Sequence, residues 1–234
     1  MLSLCRKRLL CALVAVASIL TARNDAASPS IQSPAPAASR TGILLLAHGG
    51  KDSWNEEVRR VARAADEHAI TEVAFGMADR TEIQAAIGRL EARGATTVTA
   101  VPLFVSSHSS VITSTRYLLG LLDAAPPELA TYARMRHGGA GHHGAHGTGA
   151  PDPERMRPVD TRLPVRMTPA LDRHPLVAGI LLSRAQSISH SPRGEAVILV
   201  AHGPVTDEAN ARWLADMTAL AEPLALPASR GSCR

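Results

Sequence analysis

Aromatic side chains are scarce: two Phe, two Trp and two Tyr in 234 residues. That is too few for the stacking platforms on which single-stranded nucleic acids bind. Cysteine is nearly as rare. Cys5 and Cys11 fall in the first apolar segment and Cys233 next to the last residue, so the body of the chain has neither an internal disulfide framework nor a thiolate metal cluster. No uninterrupted apolar run reaches the ~20 residues of a membrane-spanning helix, and no G-x-S-x-G sequence offers a hydrolase nucleophile elbow. Excess charge is also small. Lys and Arg number 25 against 21 Asp and Glu, a formal +4. Residues 1–27 hold +3 of it, through Arg6, Lys7, Arg8 and Arg23 against Asp25. The remainder, close to neutral, carries no basic nucleic-acid surface.

What is present is a chain with 45% hydrophobic and 20% charged residues, able to build one substantial core and excluding wholesale disorder. Arg6, Lys7 and Arg8 precede an apolar stretch from Leu9 to Leu20, the pattern of a secretory signal over residues 1–27 with cleavage near Ala26-Ala27. This predicts export, to the periplasm, with membrane contact only through an uncleaved signal segment. A mis-called start would place the chain in the cytoplasm instead. Residues 28–40 form a Pro/Ala/Ser linker.

From Gly42 the character is α/β. Ile43 to Ala47 is a short, continuous apolar run, as in a strand buried on both faces of a parallel sheet. It ends at His48-Gly49-Gly50, and a helix follows from about Ser53 with Val58, Val61, Ala62 and Ala65 on one face. Glu72–Phe75 reads as a second strand, Thr81–Arg93 as a helix closed by Gly94, Thr97–Val105 as a third strand and Val111–Asp123 as a third helix. Such alternation predicts a parallel sheet with helices on both faces, whose ligands collect at the carboxyl ends of the strands.

Residues 126–162 interrupt the pattern with a Gly/Pro-rich stretch carrying His137, His142, His143 and His146, which reads as a mobile insertion. A fourth strand is expected at Leu163–Met167, and a helix opening at His174-Pro175. Ala196–Ala201 then reads as a strand, with LLLAHGG at 44–50 answered by ILVAHGP at 198–204. This predicts an internal repeat. The domain so delimited is 41–193, and 194–234 reads as an incomplete second copy.

His48 ends the first strand and His108 follows the third, in Ser106-Ser107-His108-Ser109-Ser110. In a parallel sheet both fall on one rim, where two neutral imidazoles can hold divalent iron, cobalt, nickel or zinc or accept a proton near neutral pH. The plainer reading makes His48 a helix cap and His108 a surface loop residue. His137, His142, His143 and His146 lie within ten residues and form an auxiliary metal-binding tract of low selectivity, or a low-complexity expansion. His174 reads as a helix-start residue, His68 and His190 as solvent-facing, and His202 as the repeat counterpart of His48.

ILLLAHGGKDSWNEEVRRVA, VTAVPLFVSSHSSVI and HPLVAGILLSRA, taken together, resemble the ATP-independent class II chelatases of the sirohydrochlorin cobaltochelatase or ferrochelatase (CbiX/SirB) type. The resemblance covers residues 41–125 and 163–222. It implies a chelatase-like α/β fold, one complete lobe plus the start of a second. The implied activity is insertion of a divalent metal (Co2+, Fe2+ or Ni2+ as substrate) into a sirohydrochlorin-type tetrapyrrole without ATP. His48 and His108 are the implied ligands, with His48 also a proton acceptor. The substrate's carboxylates would meet Arg80, Arg89 or Arg116, unless these are ordinary solvated helix faces. Many relatives carry a carboxylate after the second strand, where this chain has Gly76 and Met77. A homodimer would complete the cleft left by the short second lobe. The rival function is an exported, non-catalytic metal-binding protein using the His-rich loop.

Overall fold

The computed structural model describes residues 39–136, 145–146, 150–204 and 206–224. Residues 1–27, read from the sequence as a signal, and most of 28–40, read as a linker, lie outside these. So do His137, His142 and His143.

The apolar run after the linker is the middle of the structure. β1 (Thr41–Ala47) pairs in parallel with β2 (Thr71–Phe75) on one side and β3 (Thr97–Pro102) on the other. β6 (Val165–Met167) adds to β3, so the sheet runs β2-β1-β3-β6, all parallel. Leu44, Leu45, Leu46 and Ala47 are all buried. Residues of both parities are therefore shielded, which requires cover on both faces of the sheet.

Between the strands run α1 (Asp52–Asp66), α2 (Arg80–Ala92) and α3 (Ser110–Leu118). Leu44 and Leu46 join Ile83, Ile87 and Leu90 of α2 and Leu118 of α3 in the main core cluster. Leu45 points to the other face, and α1 buries Val58 and Ala62. Val61, expected on that apolar stripe, is half exposed; three residues after Val58, it falls to the solvent edge of a stripe that Val58 and Ala62 already fill. β3 and α3 are shorter than their apolar sequence suggests. After Pro102 the chain departs into the His108 loop, and α3 gives way at Leu119-Gly120, with Gly120 at φ +72°.

Two sequence readings are corrected. The ends of 126–162 are part of the core: α4 (Leu129–Arg134) buries Leu129, Tyr132 and Ala133, and Met135 and Val159 join the same cluster. A buried ion pair pins this segment, Arg155 Nη2 lying 2.7 Å from Asp79 Oδ2. Asp79 also caps α2 by accepting from Thr81 and Glu82 N–H groups. The glycine-rich centre masks these anchors in the sequence. Between them, β4 (Met135–Arg136) and β5 (Ala145–His146) pair antiparallel, Met135 opposite His146.

The second correction concerns 196–201. No strand forms there; Val197, Ile198 and Val200 are 52%, 81% and 87% exposed. β1 is a strand because β2 and β3 satisfy its backbone groups on both edges, whereas this segment has no ladder neighbour among the described residues, and an apolar run does not make a strand alone. The flanking helices do form: α5 (Pro175–Ile188), with His174 Nδ1 accepting from Leu176 N–H at its start, and α6 (Asp207–Ala221), capped by Thr206. Among the described residues, no helix is long and apolar enough to cross a membrane.

Candidate functional site

Parallel register brings two chain exits side by side. Leu46 stands opposite Pro102, and Leu103 N–H donates to the Leu46 carbonyl at 2.8 Å, so β1 and β3 leave the sheet at one level. His48 follows β1 immediately and is exposed. Its Nδ1 lies 2.8 Å from the Gly49 carbonyl. A carbonyl only accepts, so this contact puts the ring proton on Nδ1 and leaves the Nε2 lone pair free for a metal or a proton. Gly49 turns the chain at φ +81°, a conformation that strains a side chain. The turn is then clamped, because Asn55 accepts from Gly50 N–H at 2.9 Å and donates to its carbonyl at 3.0 Å. His48 is thus not a helix cap; Lys51 occupies that position.

The His108 loop is braced from beneath. Buried Ser106 accepts from His108 N–H at 3.1 Å, and Ser109 caps α3. Ser107 donates twice to Asp172, from its N–H at 2.6 Å and its hydroxyl at 2.8 Å, and accepts from Ala170 N–H. Asp172 and Leu171 N–H groups in turn bond the Val105 and Phe104 carbonyls, zipping the exit of β6 onto that of β3. Asp172 sits at φ +42°, a strained setting that its surroundings must over-determine. Sequence spacing gave no hint of Asp172, because it acts on His108 through a loop contributed by a different strand.

His108 is partly exposed, and its Nε2 lies 3.9 Å from Asp216 Oδ2 on α6. Among the described residues no three His, Cys, Asp or Glu side chains converge as a metal cluster. The described part of the rim carries two imidazoles, His48 after β1 and His108 in the loop after β3. His146 contributes backbone to the β4–β5 pairing, and the other histidines of its tract lie outside the described residues.

Trp54, missed by the sequence reading, stands in the first turn of α1 beside this rim. It is 42% exposed, and a side-chain carbon built at Gly50 would touch its ring at 3.8 Å. Phe75 closes the end of β2 behind Gly49, with the Arg59 guanidinium 5.3 Å over its ring. Given so few aromatics, the only signal available was the position of Trp54 shortly after the His-Gly-Gly turn.

The arginines considered for substrate carboxylates are mostly engaged. Arg80 is partly buried, bonded to Asp160 at 2.8 Å and to the Arg157 and Pro158 carbonyls. Arg89 pairs with Glu72 at 2.7 Å, while Arg116 is exposed on α3. Met77 packs against the core. A shallow groove on the β2 edge, lined by Arg63, Arg89 and Arg93, is an ion-pair network. Arg93 bridges Asp66 and Glu72, and hydrogen bonds from Thr71 N–H and Arg93 hold the Asp66 carboxyl below the usual aspartate range.

The segment read as a repeat of this turn differs from it, since Gly203 lacks the positive φ of Gly49. His202 Nδ1 lies 3.4 Å from the Gly203 carbonyl, and Asn210 packs so closely that a side chain at Gly203 would meet its Oδ1 at 2.7 Å. His202 itself is exposed and stacks on Trp213, ring centroids 6.3 Å apart.

Comparison with curated proteins finds no match. Comparison with protein families matches CbiX over residues 42–188, from the start of β1 to the end of α5 and across the insertion. The match does not extend over 194–222, where the sequence suggests a second copy. With well over half its length matched and a parallel sheet carrying a histidine at each of two adjacent strand exits, the chain belongs to the CbiX family.

Proposed function

We propose that this protein inserts cobalt, iron or nickel as the divalent ion into a sirohydrochlorin-type tetrapyrrole without ATP, using His48 and His108. Membership of the CbiX family implies metal chelation of this broad kind. The observation that carries the residue assignment is the common level at which β1 and β3 leave the sheet. Metallation needs an ion held by few ligands, because four ring nitrogens must displace them; a closed four-ligand site would retain it. Two imidazoles leave positions open. The tautomer set by Gly49 leaves a free Nε2 lone pair on His48, first as ligand and then, as the ion moves to the ring, as acceptor for one of the two pyrrole protons, the other passing to solvent water.

Trp54 supplies an exposed aromatic face on which a planar macrocycle can stack. Trp54→Ala is expected to weaken tetrapyrrole binding about tenfold, on the scale of one lost aromatic stacking contact, while leaving metal affinity unchanged; equal loss of both would remove it from the substrate platform. Export remains part of the proposal, resting on Arg6-Lys7-Arg8 and the apolar stretch behind them, and fractionation of cells would test it.

The function is tested by following sirohydrochlorin absorbance as each metal is added, with the purified full chain against a protein-free control. Acceleration supports the reading. Metal binding without acceleration contradicts it and favours a non-catalytic metal-binding protein.

A further inference from the structure

The buried face of α6 carries one residue that apolar packing does not explain. Trp213, Met217 and Leu220 recur at helical spacing on that face, Trp213 and Leu220 at 9% and 6% exposure. Trp213 Nε1–H points to Met217 Sδ at 3.1 Å. Asp216 shares this stripe, being three residues after Trp213 and four before Leu220. Its Oδ2 is buried without a hydrogen-bond partner. A carboxylate oxygen so placed is costly unless something meets it. The group that faces it is His108 Nε2, at 3.9 Å. Among the described residues neither ring nitrogen of His108 has a hydrogen-bond partner of its own.

We propose that Asp216 is the positioning carboxylate of His108: it accepts a hydrogen bond from Nε2–H, fixes the imidazole's orientation and leaves Nδ1 as the metal-binding nitrogen. The present separation exceeds a hydrogen bond by about 1 Å, within reach of small side-chain rotations, since His108 sits in a loop and Asp216 on a helix face. Histidines that bind metal commonly give their other N–H to a carboxylate or carbonyl, which fixes the tautomer and raises ligand basicity. His48 already has such a partner in the Gly49 carbonyl, through Nδ1. Asp216 does the same for His108 through the opposite nitrogen. The pair would thus present Nε2 of one ring and Nδ1 of the other to one ion. It also gives α6 a role at the site, although α6 lies beyond the family match.

This rests on His48 and His108 being the metal-binding pair, and two readouts separate the inferences. In the metal-free full chain, nitrogen-15 NMR of the His108 ring reports which nitrogen holds the proton. The Nε2–H form is expected in the native chain and in Asp216→Glu, with a mixture of tautomers in Asp216→Ala and Asp216→Asn. An unchanged His108 spectrum in all variants, with helix content intact by circular dichroism, would overturn the pairing whatever the chain does with metal. Cobalt titration is the second readout. His108→Ala should lose most of the affinity, Asp216→Ala about 10–100-fold, and Asp216→Glu should recover much of it. If His108→Ala alone lowers affinity, the metal site stands and the role of Asp216 falls. If neither substitution changes affinity while the tautomer shifts, the pairing stands and the metal-site assignment falls.

Discussion

Single residues carry the site's precision, and those that do so were unevenly visible in the sequence. His48 and His108 could be marked because each follows an apolar run that a strand explains. Asp172 could not, since its bonds to Ser107 depend on how β6 leaves the sheet. Asp79 was hidden for the same reason. It serves at once as helix cap and as the buried partner of Arg155, itself only 18% exposed at its side chain. Asp79→Ala removes a cap and strands a guanidinium, so a loss of about 3–5 kcal/mol is expected, read as a lower urea midpoint. A change under about 1 kcal/mol, the scale of a cap alone, would show that the pair adds nothing.

At the scale of elements, hydrophobic patterning succeeded wherever local sequence and tertiary setting agree. β1, β2 and α2 appear within a residue or two of where their runs and caps place them. It failed at Ala196–Ala201, whose sequence is nearly that of β1 but whose edges meet no strand among the described residues. The contrast makes a direct prediction: two similar peptides in one molecule should exchange backbone hydrogens very differently. Amides of Leu44–Ala47 should be among the slowest in the chain and those of Ile198–Ala201 among the fastest, because protection follows hydrogen bonding and burial rather than hydrophobicity. Comparable protection would mean that 198–201 finds a strand partner in solution. The insertion failed in the opposite sense. Glycine and histidine at its centre suggested mobility throughout, whereas Leu129, Tyr132 and Val159 at its ends are core residues.

For the whole molecule, exposed apolar side chains gather in one stretch of sequence. Leu176, Ile180 and Ile188 of α5 and Val197, Ile198 and Val200 beyond it are all more than half exposed among the described residues, and exposed apolar side chains that form one patch mark interaction sites. We propose that two copies associate through these side chains. Sedimentation should show a concentration-dependent dimer, lost when Ile198 and Val200 are both changed to Lys; a monomer at every concentration would contradict this.

The central claim is that His48 and His108 together hold the metal and pass it to the tetrapyrrole. The most direct measurement is the initial rate of cobalt insertion into sirohydrochlorin, followed by absorbance, for the native chain, His48→Ala and His108→Ala. Each substitution should bring the rate close to that of the protein-free reaction, with far-ultraviolet circular dichroism unchanged. Native rates in both variants would contradict the assignment and place the chemistry elsewhere on the chain.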